Sequence, residues 1–411
     1  MADGTAAVSP DGQAAAAAEQ AIQRRLLLAL GAAIFMINLD SRVVTPLLPT
    51  IAGDLDTTVT HAGWLVTAYV LPYGLFQLVY GPLSDRFGKV KVVAGAMIFF
   101  SLGTALCGLP PSLNAIIALR FLTGVAAAAV FPLTLAYVGD TVPYARRQAT
   151  IAILATSSAA AAAFSTAAGG LIATLVSWRF VFPVFGIISG GVTVALLALR
   201  QDEIRLPLPE PRPRPRAQFA AALRAPLMLP LLVLVCLEGA IYNGAFTYLG
   251  GFLHERFALG ALTIGFVLAG AGVAQLGAAR LLSRLVRRFG ERRLVLGGGL
   301  LMGAAYLIAV VIPSWPLFLL PILCAGAGFV ICHSTLQTRA TETFPASRGT
   351  AVALFAFSLF LGNGVGTAVV GVFVATLGYV PALLGSGLLL CGFAFAAARL
   401  LFGRPRAALA S

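Results

Sequence analysis

Residues 81–95 read GPLSDRFGKVKVVAG, and residues 283–297 read SRLVRRFGERRLVLG. At this offset of 202 positions, Leu83 and Leu285, Arg86 and Arg288, Phe87 and Phe289, Gly88 and Gly290, Val93 and Val295, and Gly95 and Gly297 are identical pairs. The same offset aligns TVPYARRQA (141–149) with TFPASRGTA (343–351), matching Thr141, Pro143, Arg146 and Ala149 to Thr343, Pro345, Arg348 and Ala351. One such match is weak evidence. Two in a single register, each lying between long apolar runs, indicate a duplicated unit whose copies run in the same direction.

Outward from these stretches the chain is apolar. Of its 411 residues, 59% are hydrophobic and only 10% are charged, against about 25% charged in a soluble domain. So few charges leave most of a water-facing surface uncovered. A soluble fold, a disordered chain, a collagen and a disulfide scaffold are all excluded. Runs of about 20 apolar residues, each enough to cross roughly 30 Å of hydrocarbon as helix, are predicted at 26–49, 61–82, 90–109, 113–136, 149–173, 180–199, 227–252, 262–282, 294–312, 316–338, 348–374 and 379–402. The predicted fold is therefore an all-α integral membrane protein with twelve transmembrane helices in two parallel-repeat six-helix bundles. Its expected parts are a disordered N-terminal tail (1–23), a first bundle (24–199), a linker (200–226), a second bundle (227–402) and a C-terminal tail (403–411). The Pro-Arg alternation of the linker favours extended chain and gives either a solvated spacer or a basic surface for anionic headgroups.

The 28 Lys and Arg against 15 Asp and Glu give a net charge of +13, which in a soluble protein suggests nucleic acid. Here the basic residues punctuate the apolar runs. Arg24, Arg25, Arg86, Lys89, Lys91, Arg146, Arg147, the linker cluster, the 280–293 cluster, Arg339, Arg348, Arg399, Arg404 and Arg406 all fall on one side of the predicted topology, and only Arg179 and Arg256 on the other. Positive loops stay cytoplasmic. Both termini are therefore expected inside a bacterial inner (plasma) membrane, with the bilayer as partner and no nucleic acid. The five cysteines sit singly in apolar runs, as packing residues.

The stretch Gly81-Pro82-Leu83-Ser84-Asp85-Arg86-Phe87-Gly88-Lys89 resembles the signature loop of the major facilitator superfamily. Arg120-Phe121-Leu122-Thr123-Gly124 with Asp140, Pro143 and Arg147 resembles its second motif, and Leu39-Asp40 with Pro46-Leu47-Leu48-Pro49 is similar to its twelve-helix drug:proton antiporter branch. The resemblance spans roughly residues 25–400. It implies a monomer without cofactor, powered by the proton gradient, that rocks two halves about a midplane site. It also implies a cytoplasmic charge cluster of Asp85, Arg86, Lys89, Asp140 and Arg146 or Arg147 that latches one conformation, with Arg348 as its counterpart in the second copy. That copy has Arg287 in place of Asp85 and Ser283 in place of Gly81, so it lacks the same carboxylate latch. In the fifth span the antiporter pattern Gly-Pro-x-x-Gly-Gly reads Ser165-Thr166-Ala167-Ala168-Gly169-Gly170; the Gly pair is kept and Gly-Pro is not.

Charge near the bilayer centre costs about 2.5–3.5 kcal/mol on insertion scales and marks a functional candidate. Asp40, Arg42, Arg120 and Glu238 qualify. Asp40 reads either as a proton- or substrate-coupling carboxylate or as half of a static pair with Arg42 or Arg120. For Arg120 the resemblance implies a cavity-facing role in proton coupling, against a buried structural pair. Glu238 reads as a site for a proton or a cationic cargo, or as a partner of a polar neighbour. His333 is a further titratable candidate or a packing histidine. Asn38, Tyr69, Tyr73, Gln77, Tyr242, Asn243, Tyr248, Gln275 and Asn363 are candidates to line a largely apolar cavity with few polar handles, or to bond between helices. The expectation is proton-coupled efflux of a small amphipathic compound. Uptake or exchange of a sugar or organic anion, and a transporter-like receptor without net flux, stay open. No HExxH, GxSxG or GxxxxGK[ST] pattern supports an enzyme.

Overall fold

The computed structural model describes residues 10–199 and 215–402. Residues 1–9, the Pro-Arg part of the linker (200–214) and the expected tail 403–411 lie outside them. Among the described residues, twelve helices are long and apolar enough to cross a membrane: α1 (Ala21–Asp54), α2 (Val59–Gly81), α3 (Lys89–Leu106), α4 (Leu113–Thr141), α5 (Ala149–Leu175), α6 (Trp178–Leu199), α7 (Met228–Phe257), α8 (Ala261–Phe289), α9 (Glu291–Ala309), α10 (Pro316–Thr343), α11 (Arg348–Leu377) and α12 (Tyr379–Phe402). Two expectations need correction. Helix begins at Pro10 rather than after a disordered tail, because Ala14–Ala18 is a run of the strongest helix former. The end of the linker, Pro215–Arg224, is also helical rather than extended; its alanines outweigh the prolines that precede them.

Two hydrophobic cores form, one drawn from residues 26–196 and one from residues 222–401. The repeat is visible in the backbone. Gly88, between α2 and α3, has φ of 91°, and Gly290, between α8 and α9, has φ of 75°. Only glycine adopts such angles without strain, so the same tight turn recurs 202 residues apart. Large apolar side chains such as Phe99, Phe164, Ile187 and Leu388 are exposed on the outside of the bundle. A patch of this kind suits lipid, where apolar surface is not penalised.

Alternating helices bring the basic loops to one end of the molecule, here termed the basic face. On the opposite face Arg179 donates to Asp54 (3.2 Å) and to the Pro110 carbonyl (2.7 Å), and Arg256 donates to the Val310 carbonyl. The halves meet from mid-depth towards that opposite face. On α5 and α8, a Cβ on Gly170 would strike the Ala261 carbonyl, one on Gly265 the Thr166 carbonyl, and one on Gly272 the Ala163 backbone. On α2 and α11, Tyr73 packs edge-on against Phe360 at 4.5 Å and Thr67 donates to the Gly364 carbonyl at 3.4 Å. On α1 and α7, Gly250 abuts the Thr45 carbonyl. Small residues allow this backbone approach, which is how helices associate where no hydrophobic force distinguishes helix from lipid.

Candidate functional site

A cavity of about 140 Å³ lies between the halves at mid-depth, with α1, α2, α7, α10 and α11 forming its walls. Helix geometry explains what α1 presents to it. At 100° per residue, Asn38, Arg42 and Thr45 fall within an arc of about 60°, and all three line the cavity. Asp40 is turned about 200° from Asn38 and points into the first bundle instead.

There Asp40 meets Arg120 of α4. Both side chains are wholly buried, with Nη1 at 2.5 Å from Oδ2. Arg120 also donates through Nη2 to the Asp40 carbonyl (3.3 Å) and through Nε to the Leu65 carbonyl (3.5 Å). Its guanidinium lies 4.2 Å from the Tyr69 ring centroid, and the Tyr69 hydroxyl donates to the Ile37 carbonyl. A Cβ on Gly124, one turn beyond Arg120, would strike the Tyr69 carbonyl, so the glycine lets α4 come close enough to α2 for this stack. The other carboxylate oxygen, Oδ1, has no hydrogen-bond partner among the described residues. The cavity-facing position implied for Arg120 is thus corrected: it sits behind the wall, drawn there by Asp40.

The second bundle holds a similar arrangement. Glu238 of α7 is wholly buried, and its Oε2 lies 2.9 Å from Nδ1 of His333 on α10; its Oε1 meets no hydrogen-bond geometry among the described residues. His333 lines the cavity and stacks on Phe329 (4.9 Å, 13°), which in turn stacks on Tyr242 (4.5 Å, 11°). Directly after Glu238 the helix widens into a π-helical turn over Gly239–Asn243, an irregularity often found at functional sites. That turn delivers Asn243 to the cavity.

Of the other sequence candidates, Tyr69, Tyr73 and Asn363 line the cavity. Gln77, Tyr242, Tyr248 and Gln275 do not. Tyr242 is fully buried behind Phe329, Tyr248 donates to the Thr367 carbonyl at 3.0 Å, and Gln77 and Gln275 are buried away from it. Ser41, Thr45, Phe246, Thr247, Phe329 and Phe360 line it without having been singled out. The helical spacing of Ser41 and Thr45 from Asn38 was the available signal; the phenylalanines carried none, since apolar residues fill every face.

On the basic face, Lys89 pairs with Asp140 at 2.5 Å. Arg147 donates to the Gly139 (2.6 Å) and Val142 (3.4 Å) carbonyls, as suits a cation at the end of α4. Arg86 lies over the Phe87 ring at 5.2 Å. Asp85, Gly81, Arg146 and Arg348 are exposed, and Asp85 makes no ion pair or hydrogen bond among the described residues. In this conformation, closed at the opposite face, the implied cluster is centred on Lys89–Asp140 rather than on Asp85. In the fifth helix, Ser165 donates to the Leu39 carbonyl, and Gly169 packs against Val43 while Gly170 packs against Ala261. The retained glycine pair therefore joins α5 to both α1 and α8.

Comparison with known proteins accords with this architecture. The chain is 28% identical over 342 residues to the uncharacterized MFS-type transporter YceJ of Bacillus subtilis, covering 82% of this chain and 86% of that protein. It is 31% identical over 184 residues to the multidrug export protein EmrB of Haemophilus influenzae, 44% of this chain and 36% of that protein. The crystal structure of a bacterial homologue of the human lysosomal transporter Spinster, inward-facing and unoccupied, superposes with a TM-score of 0.76 at 17% identity, covering 93% and 98% of the two chains. The family model of the Major Facilitator Superfamily matches residues 30–367 and 251–411. With its duplicated six-helix halves around one central cavity, the chain belongs to the major facilitator superfamily, and is a membrane transporter rather than an enzyme.

Proposed function

We propose that this transporter is a proton-coupled exporter of small amphipathic compounds, working as a monomer by rocking its halves about the central cavity. The basic face and both termini lie in the cytoplasm of a bacterial inner membrane, no cofactor takes part, and the proton gradient supplies the energy. The observation that carries the reading is the buried Asp40–Arg120 pair, whose acid lies one residue from Ser41 and two from Arg42 on the cavity wall. Burial without a partner favours the protonated carboxylic acid in general, and an adjacent guanidinium favours the carboxylate. Halves that rock apart and together alternate those surroundings, so a proton is taken up on one side and released on the other. The match to a multidrug export protein supports the outward direction.

Proteoliposomes carrying a pH-sensitive dye test this with a panel of amphipathic compounds. Cargo-driven proton movement is expected with the wild type, lost in Asp40→Asn and retained in Glu238→Gln. Full coupled flux in Asp40→Asn removes Asp40 from the coupling role. Proton movement of the opposite sign assigns uptake.

A further inference from the structure

Within the twelve membrane-spanning helices, the carboxylates away from helix ends are Asp40 and Glu238. Arg120 takes the first and His333 takes the second. Arg42 is left over. It lines the cavity, and among the described residues it has no carboxylate partner; its near neighbour is the Phe246 ring of the other bundle, 5.9 Å away. A guanidinium at this depth is expensive unless an anion or water-filled space attends it. Among the described residues no acid lines the cavity: Arg42 and His333 are its ionisable wall groups apart from tyrosine, and the imidazole already faces Glu238.

We propose that Arg42 anchors the cargo and that the cargo is an amphipathic monoanion, a carboxylate-type head on an apolar body. This rests on the transport reading and names its substrate class. A planar carboxylate suits the fork of a guanidinium, which it meets through two parallel hydrogen bonds. One charge is what the site can neutralise; a dianion leaves one charge uncompensated in a desolvated space. Asn38, Ser41, Asn243 and Asn363 supply the few further polar contacts, and Tyr73, Phe246, Phe329 and Phe360 supply an aromatic wall for the body. A cationic cargo meets the reverse situation. Glu238 is sealed behind His333 and Asp40 behind the α1 wall, so an ammonium entering the cavity faces Arg42 with no acid to hold it. Because Arg42 is on α1 and Asn243 and Phe246 are on α7, a bound anion is gripped from both halves and its charge is cancelled before the halves move.

Three probes share one body and differ in the head: 1-naphthoate, 1-naphthalenemethanol and 1-naphthylmethylammonium. Binding to purified full-length protein in nanodiscs is measured by calorimetry. Naphthoate is expected to bind at least ten times tighter than the alcohol, with the ammonium weakest. Arg42→Gln brings naphthoate down to the level of the alcohol, and Arg42→Lys keeps part of the preference, since a point charge replaces the fork. Wild-type protein that binds naphthoate no tighter than the alcohol overturns the proposal, whatever the variants do. So does an Arg42→Gln variant that keeps the full preference. Proton movement in proteoliposomes separates this from the transport reading. Coupled flux of the ammonium but not of naphthoate overturns the acid class and leaves export standing. A head-group preference without coupled flux of any probe upholds the site and sinks the coupling.

Discussion

Removing either member of the Asp40–Arg120 pair should destabilise the protein, but not equally. Breaking a buried ion pair by deleting one partner costs about 3–5 kcal/mol, whereas replacing both by apolar residues is often close to neutral. Asp40 has nothing else to rely on: Oδ1 is already unpartnered and Oδ2 is bonded to Arg120. Arg120→Met therefore falls at the upper end, about 5 kcal/mol. Arg120 is better supported. In Asp40→Leu it keeps the Asp40-position carbonyl at 3.3 Å, the Leu65 carbonyl at 3.5 Å and the Tyr69 face at 4.2 Å, the last worth about 2 kcal/mol when desolvated. That variant falls at the lower end, about 3 kcal/mol. The double variant Asp40→Leu/Arg120→Met should recover most of the loss, ending within about 2 kcal/mol of the wild type, which makes the coupling energy about 6 kcal/mol. Unfolding of the purified variants in mixed micelles, titrated with a denaturing detergent, gives all four values. Additive single losses would refute the coupling, because they require the two side chains to be supported independently of each other, and Asp40→Leu costing more than Arg120→Met would refute the ranking drawn from the remaining contacts of Arg120.

Gly88→Ala and Gly290→Ala should each cost about 1–3 kcal/mol; nothing lies within 4 Å of a Cβ at Gly290, so a loss there measured by thermal unfolding reports backbone strain alone, and no loss at either site removes the shared turn. Gly272→Val places side-chain atoms into the Ala163 backbone and should hold the α5–α8 seam open. Alkylation of a cysteine introduced at Ser41 by a membrane-impermeant reagent added from the opposite face should then rise several-fold while Gly139→Val, at an open position, leaves it unchanged.

The membrane class, the twelve spans, the duplication and the basic face were legible because each is written locally or at a fixed register: apolar run length, an offset of 202, and the sides on which Arg and Lys fall. The helix periodicity even separated Asp40 from Arg42, since two residues turn the side chain through about 200°. What the periodicity does not contain is the partner. Asp40 and Arg120 are 80 residues apart and Glu238 and His333 are 95 apart, and both pairs exist only because α4 packs on α1 and α2, and α10 on α7. In a bundle where nearly every face is apolar, sequence names the scarce charges and cannot say which neutralises which. Tertiary packing decided that: it paired both buried acids within their own halves, moved Arg120 and Glu238 behind the cavity wall, and left Arg42 as the charge facing the space between them.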